Sequence, residues 1–67
     1  MIAVLGLGSI GLRHARNALS LGETVIGFDP SPERRALLEA EGATTTDSRD
    51  AALAVAEAVV IASPSDR

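Results

Sequence analysis

Short apolar runs alternate with segments of helical periodicity along this chain of 67 residues. The first run, Ile2–Leu5, is apolar at every position, which favours a strand buried on both faces of a parallel sheet. The stretch Ser9–Leu21 predicts a helix, because small and apolar residues recur on one face at three- and four-residue spacing. The members of that face are Gly11, Ala15, Ala18, Leu19 and Gly22. Such a face can lie close against a sheet, and Gly22 supplies a left-handed end to the helix.

The second half of the chain repeats the alternation of strands and helices. The predicted elements are, in order, a strand at Thr24–Phe28, a helix from Pro32 to about Glu41 capped by Ser31, a brief edge strand at Ala43–Thr46, a short helix to about Ala56 capped by Asp47 or Ser48, and a strand of the buried type at Ala58–Ala62. Helices between consecutive strands predict right-handed crossovers and a parallel sheet. The expected fold class is therefore α/β, a partial doubly wound sheet of the Rossmann type with strand order 3-2-1-4.

A glycine-rich turn joins the first predicted strand to the first predicted helix. Its sequence is Gly6-Leu7-Gly8-Ser9-Ile10-Gly11, and this spacing between a strand and a helix is typical of a dinucleotide-binding turn. Gly6 permits the tight turn, Gly8 lets the backbone approach a pyrophosphate, and Gly11 lets helix and strand pack closely. The amides near Ser9 and Ile10 then point at the phosphates from the positive end of the helix. The turn predicts a dinucleotide as the partner of this chain.

An acidic residue, Asp29, ends the second predicted strand. An acid about 20 residues beyond the turn is expected to bind the adenosine ribose. Its carboxylate can accept hydrogen bonds from the ribose hydroxyls and would repel a 2′-phosphate, so NAD is the predicted cofactor. NADP stays open because Arg34 and Arg35 could reach an adenosine phosphate, although we expect both on a solvated helix face.

Composition narrows the class of function. The chain has no cysteine, which excludes disulfides and thiolate metal sites, and its acids and single His form no metal-ligand cluster. A net charge of −3 and one aromatic residue argue against a nucleic-acid partner. No apolar run approaches the roughly 20 residues of a membrane span, and no basic region precedes the first apolar stretch. We therefore expect a cytoplasmic protein without a membrane partner.

We predict no catalytic residue within this chain. His14 lies about one turn into the first predicted helix and has no nucleophile or acid nearby in sequence, so we interpret it as a packing or capping residue. Asp47 and Asp50 have the spacing of a helix cap and a first-turn acid rather than that of a catalytic carboxylate pair.

Two stretches carry a resemblance to a known family. GLGSIGLRHARN at 6–17, with its Arg13-His14 pair, and the strand and loop VVIASPSD at 59–66 resemble the glucose–fructose oxidoreductase/inositol dehydrogenase (Gfo/Idh/MocA) family. The resemblance implies hydride transfer between NAD(P) and a sugar, polyol or related hydroxyl compound. It also implies a set of cofactor-binding residues, namely Gly6, Gly8, Ser9, Ile10 and Gly11 at the pyrophosphate, Asp29 at the ribose, and Ser63 and Pro64 bordering the dinucleotide.

Two alternatives to this hypothesis stay open. One is the cofactor domain of a β-hydroxyacid or prephenate-type dehydrogenase, whose openings also have a strand, a GLGxIG turn, a helix and an Asp-terminated strand. The other is a nucleotide-sensing regulatory Rossmann domain without catalysis.

The length of the chain limits what it is expected to do by itself. Sixty-seven residues are about half of an ordinary domain. We therefore interpret residues 1–67 as a partial dinucleotide-binding domain without the catalytic domain, inactive alone, with a small-molecule substrate only in a full-length protein. In such a fragment the apolar surfaces of Ile2–Leu5 and Val59–Ile61 are expected to meet water, and the exposed last strand offers a surface for self-association.

Overall fold

The computed structural model describes residues 1–62, which form the predicted sequence of strands and helices. The elements are β1 (Ile2–Leu5), α1 (Ser9–Ser20), β2 (Val25–Phe28), α2 (Pro32–Glu39), β3 (Thr44–Thr46), α3 (Arg49–Val55) and β4 (Ala58–Ile61). The range of β1 is the predicted one, and the other elements differ from their predicted ranges only at the ends. Ser31 caps α2 by accepting a hydrogen bond from the Arg34 amide, and Ser48, rather than Asp47, caps α3.

The four strands form one parallel sheet in the order β3-β2-β1-β4, which confirms the predicted fold class and strand order. In this register Leu5, the last residue of β1, lies opposite Phe28 of β2 and Ile61 of β4. The carboxyl ends of β1, β2 and β4 therefore meet at one edge of the sheet. Ligands of open α/β sheets bind outside such an edge, where the strand order reverses.

Helices cover both faces of the sheet. One face packs against α1 and α2, and its buried cluster consists of Val4, Leu7, Leu12, Ala15, Val25 and Leu38. The other packs against α3 through Ala3, Leu5, Ile26 and Ala52. The first two crossovers therefore lie on one side of the sheet and the third on the other, as right-handed connections require. No helix within residues 1–62 is long and apolar enough to cross a lipid bilayer.

The burial of the strands differs in part from expectation. The expectation that β1 would meet water is wrong, because Ala3 and Val4 are fully buried between the helices of the two faces. The expectation for β4 holds: Val59 is 43% exposed and Ile61 is 68% exposed. Central position in the sheet, rather than apolar composition, decides which of these strands is buried.

The buried side of α1 also differs in detail from the predicted small-residue face. Gly11 and Ala15 are buried as expected, but Leu12 joins them and Gly22 is exposed. Gly22 does adopt the left-handed conformation predicted for the helix end, with φ of 85°. The helix therefore turns a slightly different side to the sheet than its pattern of small residues indicated.

Candidate functional site

A cleft of about 380 Å³ lies at the carboxyl edge of the sheet, between the start of α1 and the start of α2. The residues lining it that the sequence singled out for the cofactor are Gly6, Gly8, Ser9, Ile10, Gly11 and Asp29. Pro30, Arg34 and Ala62 complete the lining. The remaining two predicted cofactor residues, Ser63 and Pro64, lie outside the described residues.

Gly6 and Gly11 are glycines because the folded backbone leaves no room for anything larger. Gly6 has φ of +97°, and a Cβ there would lie 2.6 Å from the carbonyl oxygen of Ala62. A Cβ on Gly11 would overlap the carbonyl oxygen of Gly6. Because each obstacle is backbone, neither can move aside as a flexible side chain could. The fold of the turn itself therefore requires both residues.

Gly8 is different, because nothing in the fold requires it to be glycine. Its φ of −67° and ψ of −172° form an extended backbone that any residue adopts. An added Cβ would meet only Nη1 of Arg34, at 3.2 Å, and that atom is the far end of a flexible side chain. Beside Gly8 the fold therefore places only the movable end of one side chain, which also lines the cleft.

The amino terminus of α1 presents backbone donors to the cleft. No side chain caps the helix, and its first turn carries no acidic residue. Leu12 N–H donates to the Gly8 carbonyl, whereas the amides of Ser9, Ile10 and Gly11 donate to no protein acceptor within residues 1–62. Free amides at a helix start, together with the helix dipole, favour an anion. The arrangement can bind phosphate oxygens.

Asp29 is buried, at 6% exposure, and both of its carboxylate oxygens accept backbone hydrogen bonds. The Leu7 N–H donates to Oδ2 at 2.8 Å and the Ser31 N–H donates to Oδ1 at 2.8 Å. The side chain thus ties the glycine turn to the start of α2. A carboxylate has about four acceptor positions, so two remain for a ligand in the cleft that Asp29 lines. The sequence predicted the ligand contact but gave no sign of the structural one.

The two arginines of α2 occupy different surroundings. Arg35 is half-buried and donates from Nη1 to the Asp29 carbonyl oxygen at 2.7 Å, so the expectation of a solvated position is wrong for it. Arg34 is exposed, as expected, yet its guanidinium lies beside Gly8 and lines the cleft. Both arginines lie near the carboxyl end of β2, because α2 begins three residues after Asp29.

The other residues considered for chemistry lie away from the cleft lining. His14 is exposed in the middle of α1, so the interpretation as a packing or capping residue is wrong. Asp47 and Asp50 are exposed, with Asp50 in the first turn of α3 as predicted. The described part of the chain holds no group of three or more His, Cys, Asp or Glu residues that could bind a metal ion.

Comparisons with known proteins extend this description. The family of the D-isomer specific 2-hydroxyacid dehydrogenase NAD-binding domain matches residues 1–67. The chain is also 48% identical over 52 residues to UDP-N-acetylmuramoylalanine–D-glutamate ligase of Cereibacter sphaeroides strain KD131, covering 76% of this chain and 11% of that protein. For the ligase of strain ATCC 17029 the identity is 48% over 46 residues, covering 69% and 10%. The chain thus spans about a tenth of the length of these relatives. No solved structure gives a significant match.

These comparisons do not support the narrower resemblance to the Gfo/Idh/MocA family. The matching family is closer to the hydroxyacid dehydrogenase alternative drawn from the same glycine turn. The Arg13-His14 pair, which carried the resemblance to the Gfo/Idh/MocA family, is exposed on α1 and lines no part of the cleft.

Proposed function

The chain belongs to the family of the D-isomer specific 2-hydroxyacid dehydrogenase NAD-binding domain, and we propose that it holds the cofactor of an oxidoreductase acting on a hydroxyl-bearing small molecule. NAD is the cofactor of this domain. When bound, the cofactor would supply the hydride acceptor as NAD⁺ or the hydride donor as NADH, while the residues of this chain bind and orient it. In this proposal the substrate-binding and catalytic groups belong to other parts of the full protein.

The observation that carries the proposal is that the fold does not require glycine at position 8. Its backbone conformation and its surroundings both allow a side chain. A ligand that approaches the backbone closely supplies the reason for glycine here, and a pyrophosphate is such a ligand. The free amides of Ser9, Ile10 and Gly11 lie at the same end of α1 and match the phosphate oxygens. The residues present therefore fit the dinucleotide.

Each cofactor-binding residue has a distinct proposed role. Gly6 and Gly11 shape the turn, while Ser9 and Ile10 donate backbone N–H groups to the pyrophosphate. Asp29 accepts hydrogen bonds from the adenosine ribose through the acceptor positions that Leu7 and Ser31 leave free. By the resemblance of the 59–66 stretch, Ser63 and Pro64 border the dinucleotide beyond the end of β4.

The proposed substrate is a 2-hydroxy acid, the class named by the matching family. The sugars and polyols implied by the resemblance of residues 6–17 are the alternative within the same reaction type. In both substrate classes the hydride transferred to NAD would come from the carbon that carries the hydroxyl. The two classes differ in the substrate carboxylate, which a 2-hydroxy acid has and a polyol lacks.

A second candidate follows from the similarity to the ligases, whose name includes a UDP-linked compound. UDP contains a diphosphate, so the same free amides at the start of α1 could bind it. In that case the chain would be the nucleotide-binding part of a ligase rather than of a dehydrogenase. The identity of 48% over 52 residues is the observation that supports this candidate.

Calorimetric titration of the full protein with NAD, NADP and UDP tests the proposal. We expect NAD to bind with a Kd of about 1 µM to 1 mM, the range in which the KM values of enzymes commonly lie, and UDP to bind more weakly. Spectroscopic detection of NADH with D-2-hydroxy acids and with polyols then identifies the substrate class. Preferred binding of UDP would favour the ligase candidate, and NAD binding without turnover of either class would favour the regulatory domain.

A further inference from the structure

Arg34 places a positive charge directly over the middle of the glycine turn. Its Nη1 lies 3.2 Å from the position that a Cβ of Gly8 would take, and the side chain lines the same cleft as Ser9 and Ile10. The residue comes from α2, whereas Ser9 and Ile10 belong to α1, so the cleft is lined by groups from both helices. A ligand seated on Gly8 would therefore be within reach of both the α1 amides and this guanidinium.

The guanidinium of Arg34 has no protein partner among residues 1–62. The ion pairs of that part of the chain are Met1 with Glu57 and Arg16 with Glu41. Arg35, the next residue, shows the contrast, because its guanidinium already donates to the Asp29 carbonyl. An arginine side chain offers five N–H donors and recognises phosphate in bidentate fashion. Those of Arg34 are available to a ligand in the cleft.

The backbone that carries Arg34 is tied to the glycine turn. The Arg34 amide donates to Ser31 Oγ at 3.4 Å, and the Ser31 amide donates to Asp29 Oδ1 at 2.8 Å. The other oxygen of Asp29 accepts from Leu7, within the turn. This chain of hydrogen bonds fixes the start of α2 against the turn before any ligand arrives. The position of the Arg34 backbone is therefore set by the fold.

We propose that Arg34 binds the pyrophosphate of the dinucleotide and adds a full positive charge to the partial charges of the α1 amides. The inference rests on the proposed function and extends it by one residue. Backbone amides and a helix dipole contribute only partial charges, whereas the guanidinium makes charge-assisted hydrogen bonds to phosphate oxygens. The guanidinium lies at Gly8, where the pyrophosphate is expected, and so it acts on NAD and NADP alike.

Matched substitutions in the full protein test this role. Arg34→Gln and Arg34→Lys are compared with Arg16→Gln, which removes one exposed arginine charge from the middle of α1. Each variant is titrated with NAD, NADP, ADP and adenosine at low and at physiological ionic strength. We expect Arg34→Gln to weaken NAD, NADP and ADP by a common factor of about 10 to 100, the effect of losing a charged hydrogen bond. Adenosine should bind as before, and Arg34→Lys should retain part of the affinity.

The ionic-strength series adds a readout that a purely structural role would not move. The wild-type protein should lose affinity for ADP as salt rises, and Arg34→Gln should lose less, because one screened charge is gone. Arg16→Gln should match the wild type throughout.

Several outcomes would overturn the assignment. Unchanged affinity for NAD and ADP in Arg34→Gln would show that the guanidinium does not touch the pyrophosphate. A loss confined to NADP would place it at the 2′-phosphate instead, and an equal loss for adenosine would show a structural defect. If the folded wild-type protein bound no NAD, the proposed function itself would fail and the role of Arg34 with it. NAD binding by the wild type with no change in the variant would reject the role of Arg34 alone.

Discussion

The two ends of the glycine turn and its middle contain the same amino acid for different reasons. At the ends, Gly6 and Gly11 are pressed against backbone atoms of Ala62 and of Gly6 itself. In the middle, Gly8 has an ordinary backbone conformation and faces the cleft. A single motif in the sequence therefore divides, in the structure, into positions required by the fold and a position that the fold leaves free. Glycine at the ends of the turn therefore serves the stability of the fold, and glycine in the middle serves ligand binding. The same substitution made at an end and in the middle tests this distinction.

The largest expected effect is that of Gly11→Ser, at an end of the turn. The new Cβ would overlap the carbonyl oxygen of Gly6, so the backbone must move or α1 must separate from β1. We expect a loss of about 3 kcal/mol or more in the free energy of unfolding, the upper range for inserting atoms into a packed interior. Thermal melts followed by circular dichroism measure it. The matched control is Gly8→Ser, and an unchanged melting temperature in Gly11→Ser would remove the distinction between the ends and the middle.

A smaller effect is expected for Asp29→Ser, because Asp29 belongs to both kinds of position. The shorter side chain leaves the buried Leu7 amide without its present acceptor, which costs about 1–3 kcal/mol, whereas the partly exposed Ser31 amide can bond to water instead. The same change removes the carboxylate that repels a 2′-phosphate, so affinity for NADP should rise relative to NAD. Melts and paired titrations of the full protein measure both quantities.

The exposed acid Asp50 provides the control for that experiment, through Asp50→Ser in the first turn of α3. It should leave the ratio of NAD to NADP affinity unchanged. If Asp29→Ser also left the ratio of NAD to NADP affinity constant, Asp29 would not bind the adenosine ribose. A constant ratio with a lowered melting temperature would leave Asp29 as a structural residue alone.

Local pattern was sufficient to predict the elements and the place of the site. The run Ile2–Leu5, the glycine turn and the acid that ends β2 each follow from residue type and spacing, and the order of elements led to the strand order. The turn and Asp29 could be brought to one cleft because carboxyl ends of adjacent parallel strands meet at the same edge. The strands, the turn and the position of the cleft could be predicted because they depend on residue type and on spacing along the sequence.

What the sequence could not provide depends on tertiary neighbours. The two backbone hydrogen bonds of Asp29 join residues from different loops, and no spacing rule indicates them. The same holds for Arg34, which looked like one half of a solvated pair until the fold placed it beside Gly8. A Cβ on Gly27 in β2 would likewise collide with the side chain of Leu38, a conflict that appears only when α2 lies on the sheet.

Strands β1 and β4 show the same limit. Both are short apolar runs, yet Val4 is fully buried and Ile61 is 68% exposed. Within residues 1–62, β1 lies between two strands, whereas β4 lies at an edge of the sheet. Burial was therefore set by strand order and not by composition. Self-association through the exposed edge stays a prediction.

The central claim is that Gly8 is glycine for the sake of the dinucleotide, and titration of Gly8→Ser with NAD tests it most directly. Serine is a favourable residue at the start of a helix, and the neighbouring Arg34 side chain can move aside, so the free energy of unfolding should stay within about 0.5 kcal/mol of the wild type or rise. The added side chain would occupy the space of the pyrophosphate, and affinity for NAD should fall about tenfold or more. A protein that remains folded and loses NAD is the predicted result. A folded variant that binds NAD as tightly as the wild type would contradict the claim.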